Sequence, residues 1–104
     1  MVTLFLDTSD NKINTVGLII DGKKDICTKE MASNRTQIIL PMISEILNKH
    51  SLKREDLTDI KINVGPGSFT GLRIGLAIAN ASSFVLKIPV NGKKIGEIIT
   101  PIYK

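Results

Sequence analysis

The sequence predicts an α/β domain built on a mixed sheet, and three observations carry that prediction. Short apolar runs alternate with turn residues through the first thirty positions, as antiparallel strands do. The apolar period then switches to the helical one from Ser33 onward. A second strand-to-helix passage follows, through Gly65-Pro66-Gly67-Ser68-Phe69-Thr70-Gly71. The 104 residues make a single domain, 1–104, with no linker, repeat or low-complexity tract to divide it. A two-lobed enzyme would not fit in this length.

Strands are expected at Val2–Leu6, Thr15–Ile20 and Lys24–Lys29, with turns at Asn11–Asn14 and Asp21-Gly22. Asp-Gly suits a two-residue hairpin because both of its positions take positive φ. Ile38, Ile39, Leu40, Met42, Ile43, Ile46 and Leu47 then recur at helical spacing, with Ser33 or Asn34 as N-cap and Lys49 in the last turn. Pro41 interrupts this pattern. An interior proline removes a hydrogen bond and costs about 3 kcal/mol, so a kink or a late start is expected there. Ser51 to Asp56 is a polar connector in which Ser51 and Glu55 resemble a short capped turn. Ile60, Ile62 and Val64 alternate as a strand, a helix runs from Thr70 to Leu86, and Ile88-Pro89-Val90 forms a short last strand. The resulting order, β-β-β-α-β-α-β with a five-stranded mixed sheet, is that of a single ribonuclease H-like lobe of the actin-like ATPase and sugar-kinase architecture.

Composition narrows the function classes. Apolar residues are 42% and charged residues 23% of the chain, which is the globular range. The net charge of +4 is spread over separate pairs, Lys23-Lys24, Lys53-Arg54 and Lys93-Lys94, and reads as solvated corners, not as a nucleic-acid groove. Aromatics are 4%, too few for a base-stacking platform. With one cysteine, Cys27, and one histidine, His50, neither an internal disulfide nor a zinc finger or ribbon can form, and Cys27 is expected to be a buried small hydrophobe. The N-terminus has no basic region ahead of its short apolar run, and no stretch approaches the about 20 apolar residues of a membrane span. The expected compartment is the cytoplasm, with no membrane partner.

Gly65 and Gly67 permit backbone angles that a side chain forbids, Pro66 stiffens the turn, and Ser68 or Thr70 can cap the helix that follows. Such a helix N-terminus presents N–H groups to an anion. Two readings stay open: a tight capped turn, or a vestigial phosphate site formed by Asp7, Thr8, Gly65, Gly67 and Ser68. The stretch matches neither the P-loop, which needs a lysine, nor the three-glycine dinucleotide fingerprint.

Both helices carry surplus apolar surface. The apolar arc of the first spans about 200°, and that of the second closes round the axis. A helix apolar all round must be covered on all sides, so a helical interface with another protein is expected. Gly75, Ala79, Ser82 and Ser83 are small enough to let a second helix approach. Met42, Ile46, Leu72, Leu76 and Ala79 are the expected interface positions.

The segments Leu4-Phe5-Leu6-Asp7-Thr8-Ser9, Thr36 to Ile43, Val64 to Gly75 (VGPGSFTGLRIG) and Ile88-Pro89-Val90 together resemble the N-terminal lobe of the TsaB (YeaZ) family of tRNA threonylcarbamoyladenosine biosynthesis proteins. The resemblance runs through Gly92, and GPGSFTGLRIG is its specific part. It implies an actin-like fold and a part in making the threonylcarbamoyl group on adenosine 37 of tRNA. The family is related to the glycoprotease-like TsaD proteins, which transfer the group. Its members are not the catalyst; they hold TsaD through N-lobe helices and also form homodimers. The partners so implied are a TsaD-like protein and a TsaE-like ATPase, with tRNA met only indirectly. No catalytic residue and no metal follow, because Arg35 stands where the family usually has histidine. The family's second lobe is absent from this sequence. Nucleotides in this superfamily bind between two lobes, so no cofactor is expected, and ATP only at a composite site.

Two enzyme readings stand beside this one. A ribonuclease H-like nuclease would gather divalent metal on Asp7 and Glu45, but Asn63 and Gly65 occupy the place of its third carboxylate. A composite nucleotide half-site would use Asp7, Thr8, Ser9 and the glycine-turn amides. The bland alternative for Asp7-Thr8-Ser9 is a hydrogen-bonded turn at a strand end.

Overall fold

The computed structural model describes residues 1–30, 35–95 and 97–102. Its N-terminal strands are β1 (Val2–Asp7), β2 (Ile13–Ile20) and β3 (Lys23–Glu30). They form the expected antiparallel meander, with Leu4 opposite Leu18, Leu6 opposite Val16, and Val16 opposite Cys27. Asp21 and Gly22 sit at φ 50° and 85°, the left-handed pair that a two-residue hairpin requires. The first turn closes earlier than its composition suggests. Asp10 Oδ1 accepts the N–H groups of Lys12 and Ile13 at 2.7 and 3.0 Å, which places Ile13 and Asn14 inside β2. Asn14 is fully buried there, and its carboxamide has no hydrogen-bond partner among the described residues.

Helix α1 (Arg35–Lys49) passes through Pro41 without a late start. Its expected caps, Ser33 and Asn34, lie outside the described residues. The connector holds one 3-10 turn, Arg54–Asp56, whose cap is Lys53: the Asp56 carboxylate accepts the Lys53 N–H at 2.8 Å. That pair replaces the expected Ser51 and Glu55. Strand β4 (Asp59–Ile62) then lies parallel to β1, giving the sheet order β3-β2-β1-β4. Helix α2 (Phe69–Leu86) starts at Phe69 because the Ser68 hydroxyl, not that of Thr70, caps it, accepting the Gly71 N–H.

The sheet has four strands, not the expected five. Ile88-Pro89-Val90 reaches β4 but makes only one parallel bridge, Ile60 to Val90. Pro89 has no N–H to donate, and Asn91 turns to φ 51°, which ends extended structure. The Asn91 side chain takes over: its Oδ1 accepts the Ile62 N–H at 2.8 Å, and its Nδ2 donates to the Ile62 carbonyl at 3.0 Å. A carboxamide thus caps the edge where a fifth strand would continue.

One face of the sheet, Leu4, Leu6, Val16, Leu18, Ile60 and Ile62, is buried under the helices. Helix α1 packs over β2 and α2 over β4 and β1, and both reach Leu4 through Ile43 and Ile78. Each such side chain contributes about 1.5–3 kcal/mol by leaving water. Cys27 is only partly buried, against the edge of this core.

Candidate functional site

Where β1 ends, the chain builds a cluster of polar side chains against the glycine turn. Asp7 Oδ1 accepts from the Ser9 N–H at 3.0 Å and the Ser9 hydroxyl at 2.6 Å, while Oδ2 accepts from Asn63 Nδ2 at 3.3 Å. Asn63 Oδ1 in turn accepts the Gly65 N–H at 3.0 Å. The Ser9 carbonyl accepts the Ser68 N–H at 2.7 Å, and the buried Thr8 hydroxyl donates to the Gly71 carbonyl at 2.6 Å. All five residues expected at a phosphate site, Asp7, Thr8, Gly65, Gly67 and Ser68, are therefore brought together. Asn63, read from the sequence only as a missing carboxylate, links them.

The glycines serve close approach. A Cβ on Gly67 would stand 2.6 Å from the Ser9 carbonyl oxygen, so the turn can press on β1 only without one. Gly65 sits at φ 111°, a left-handed position. Three of the turn's donors are used within the chain: the Gly65, Ser68 and Gly71 N–H groups bond to Asn63, Ser9 and Ser68. These bonds make a capped, hydrogen-bonded turn; a phosphate cradle would need convergent N–H groups left for the ligand.

Metal chemistry finds no donor set among the described residues, where no group of three His, Cys, Asp or Glu side chains comes together. Glu45, the expected second carboxylate of a nuclease, pairs with Lys29 at 3.5 Å. His50 pairs through Nε2 with Asp25 at 2.7 Å, and Lys49 Nζ reaches the same oxygen at 2.9 Å. Hydrogen bonds from Lys49 and His50 hold the Asp25 carboxyl below its usual range.

The second candidate surface is the outer side of the helices, and here the structure corrects the sequence reading. Met42, Ile46, Leu72, Leu76 and Ala79, the expected interface positions, are all buried: Met42, Ile46, Leu76 and Ala79 in the core under the sheet, and Leu72 beside Gly65. A docking surface must be exposed before docking, so none of them can present one. The small residues are spent on the same side: Gly75 lets α2 close on the Thr8 hydroxyl, and Ser83 donates to the Ile88 carbonyl. The opposite side of α2 is the exposed one. At about 100° per residue, Ala77, Ala81 and Val85 lie on the half of α2 away from Leu72 and Ala79, while Ile74 and Ile78 beside them are partly buried against the core. Val85 is 74% and Phe84 70% exposed, and Leu40 of α1 adjoins this stripe through Ile78. The expected surplus of apolar surface is therefore present on the other half of the helix. By length and composition α2 is also long and apolar enough to cross a membrane, closer to such a span than the sequence reading allowed; its inner side packs on the sheet.

The family described as TsaD, tRNA N6-adenosine threonylcarbamoyltransferase, matches residues 15–93. Curated relatives include the tRNA threonylcarbamoyladenosine biosynthesis protein TsaB of Buchnera aphidicola subsp. Baizongia pistaciae, 38% identical over 83% of this chain and 38% of its own length. The protein of the same name from Haemophilus influenzae is 37% identical over 86% of this chain and 38% of its own. Among solved structures, YeaZ from Pseudomonas aeruginosa superposes with a TM-score of 0.80 at 29% identity, covering 86% of this chain and 43% of that one. The chain thus spans less than half the length of these relatives.

Proposed function

This chain belongs to the TsaD family, and from that premise we propose that it is a non-catalytic scaffold of tRNA threonylcarbamoyladenosine biosynthesis, of the TsaB (YeaZ) kind. Its task is to hold a TsaD-like transferase through the outward side of α1 and α2. The observation that carries this reading is the exposed apolar surface of α2 at Ala77, Ala81, Phe84 and Val85, beside the half-buried Ile74 and Ile78. Soluble monomers rarely leave a contiguous stripe of this kind in water, because each buried square ångström of it is worth about 25 cal/mol. A mixed sheet with both helices over one face supports the ribonuclease H-like lobe that the resemblance implies.

A scaffold role fits the polar cluster too. Asp7, Ser9, Asn63 and the Gly65 and Ser68 amides bond to one another, which ties the start of α2 to the end of β1. Nucleotide enters this reading only at a composite site completed by a partner lobe, and a TsaE-like ATPase and tRNA are met through the assembly. The test is light scattering of the chain mixed with TsaD. A 1:1 complex that Val85→Asp abolishes supports the reading; two separate species in the wild-type mixture would refute it.

A further inference from the structure

Helix α1 stops before the sheet beneath it does. It ends at Lys49, and the chain then turns away: the His50 and Leu52 N–H groups both bond to the Leu47 carbonyl, and Ser51 takes φ 55°, a left-handed helix stop. His50 comes to rest against Asp25, which lies opposite Leu18 in the sheet. Strand β2 runs on to Ile20, so the last inward pair of the hairpin, Ile20 opposite Lys23, lies beyond the helix end. Ile20 is accordingly only half-buried. The opening is a pocket of about 320 Å³, lined by Leu18, Ile20, His50 and the charged residues of the hairpin. That volume is at the low end of the about 300–1,000 Å³ that small-molecule sites occupy. It lies at the opposite end of β1 from Asp7 and its polar cluster, and it shares no residue with the outer surface of α2.

The charges of this pocket divide by partner. Asp25 is held by His50 at 2.7 Å and Lys49 at 2.9 Å, and Asp21 by the N-terminal ammonium at 3.4 Å. Lys23 and Lys24 are exposed, and among the described residues no carboxylate pairs with either. Two unpaired ammonium groups therefore set the sign of the field over an apolar floor. An apolar concavity with a few convergent charged groups is the usual make-up of a ligand site. The Asp25 carboxyl, drawn below its usual range by Lys49 and His50, is the kind of perturbed group that such sites collect. We propose that this pocket binds a small organic anion, whose apolar body sits on Leu18 and Ile20 and whose charged end meets Lys23 and Lys24. Both parts of the ligand are needed. A bare anion finds only exposed, solvent-screened lysines, and a neutral apolar body forgoes their attraction.

The test is an amide-resolved NMR titration of the full chain at neutral pH and fixed ionic strength, with naphthyl phosphate as the probe. Naphthol supplies the apolar body without the charge, and inorganic phosphate the charge without the body. Naphthyl phosphate is expected to shift the amides of Ile20, Lys23, Lys24, Asp25 and His50 saturably, with a Kd of about 1 mM or below. Naphthol and inorganic phosphate are each expected to bind at least tenfold more weakly. Lys23→Glu with Lys24→Glu should weaken naphthyl phosphate at least tenfold and leave naphthol unchanged, whereas Ile20→Asp should weaken both. Shifts absent from these amides, or spread evenly over all the exposed lysines, overturn the proposal. So does naphthol binding as tightly as naphthyl phosphate, or unchanged affinity in the charge-reversed chain. The spectrum of each variant reports its fold, and Lys23→Ala with Lys24→Ala, expected to weaken the probe in the same direction, replaces the charge reversal should that chain not fold.

Discussion

Replacing Gly75 with alanine sets two physical effects of opposite sign against each other. Gly75 lies inside α2, where alanine is the better helix former by about 1 kcal/mol, so propensity alone predicts a more stable protein. The contact predicts the reverse. A Cβ at this position would land on the Thr8 hydroxyl, 3.2 Å from Thr8 Cβ and 3.2 Å from Ile62 Cδ1. That hydroxyl is buried and donates to the Gly71 carbonyl, so it cannot move away without losing its acceptor. An unmet buried hydroxyl costs about 1–3 kcal/mol. Forcing a methyl into a packed contact costs about 1–3 kcal/mol more. After the propensity gain, Gly75→Ala should destabilise by about 1–5 kcal/mol, which at about 5 °C per kcal/mol lowers Tm by about 5–25 °C. Thr8→Ala makes room for the methyl, so in a thermal or urea double-mutant cycle the double variant should lose at least about 1 kcal/mol less than the two single losses added. A Gly75→Ala protein as stable as the wild type, or strict additivity with Thr8→Ala, would refute the claim that this glycine sets the distance between α2 and β1.

Four further outcomes follow from the same geometry. Asn91→Ala should cost about 1–3 kcal/mol, because it leaves the Ile62 N–H and carbonyl on an open edge; hydrogen exchange at the Ile62 amide should speed up. Leu72→Ala should lower stability by about 2–5 kcal/mol in denaturant melts, whereas Val85→Asp should stay within about 0.5 kcal/mol of wild type, since the first residue is buried and the second is not. Asp25 is held below its ordinary value of 3.8 by Lys49 and His50, so its stabilisation is complete above that value and is lost as pH falls through the lower, folded one. Asp25→Asn should therefore flatten the acid limb of a stability profile below about pH 4. Asp7→Asn should destabilise the turn without altering any magnesium-dependent response, because among the described residues no metal donor set surrounds Asp7; isothermal titration with magnesium checks this.

Much of the fold was legible in local chemistry. Asp21-Gly22 announces its hairpin because few other pairs accept two successive positive φ angles. The outer exposure of α2 follows from counting apolar positions round its axis. What counting could not decide is which half of a helix apolar on all sides meets the sheet. The answer lies in Gly75, whose missing side chain marks the half that comes closest to another backbone; the sequence reading gave that signal to a partner helix and so assigned Leu72, Leu76 and Ala79 to the wrong surface. Asn14 was read as a turn residue from its type, yet Asp10 closes the turn first and draws Asn14 into a strand. The fifth strand failed on Pro89 and on an asparagine whose side chain imitates backbone, a substitution that periodicity does not register. In the polar cluster, the Asp-Thr-Ser turn could be read locally, but its link to Asn63 joins positions 56 residues apart in sequence and becomes visible only when β4 lies beside β1.

Light scattering of the full chain with TsaD at micromolar concentration, wild type against Val85→Asp, tests the central claim most directly. The account predicts a stoichiometric complex for the wild type and two unassociated, folded proteins for the variant. An equally stable complex with Val85→Asp, or none with the wild type, would contradict it.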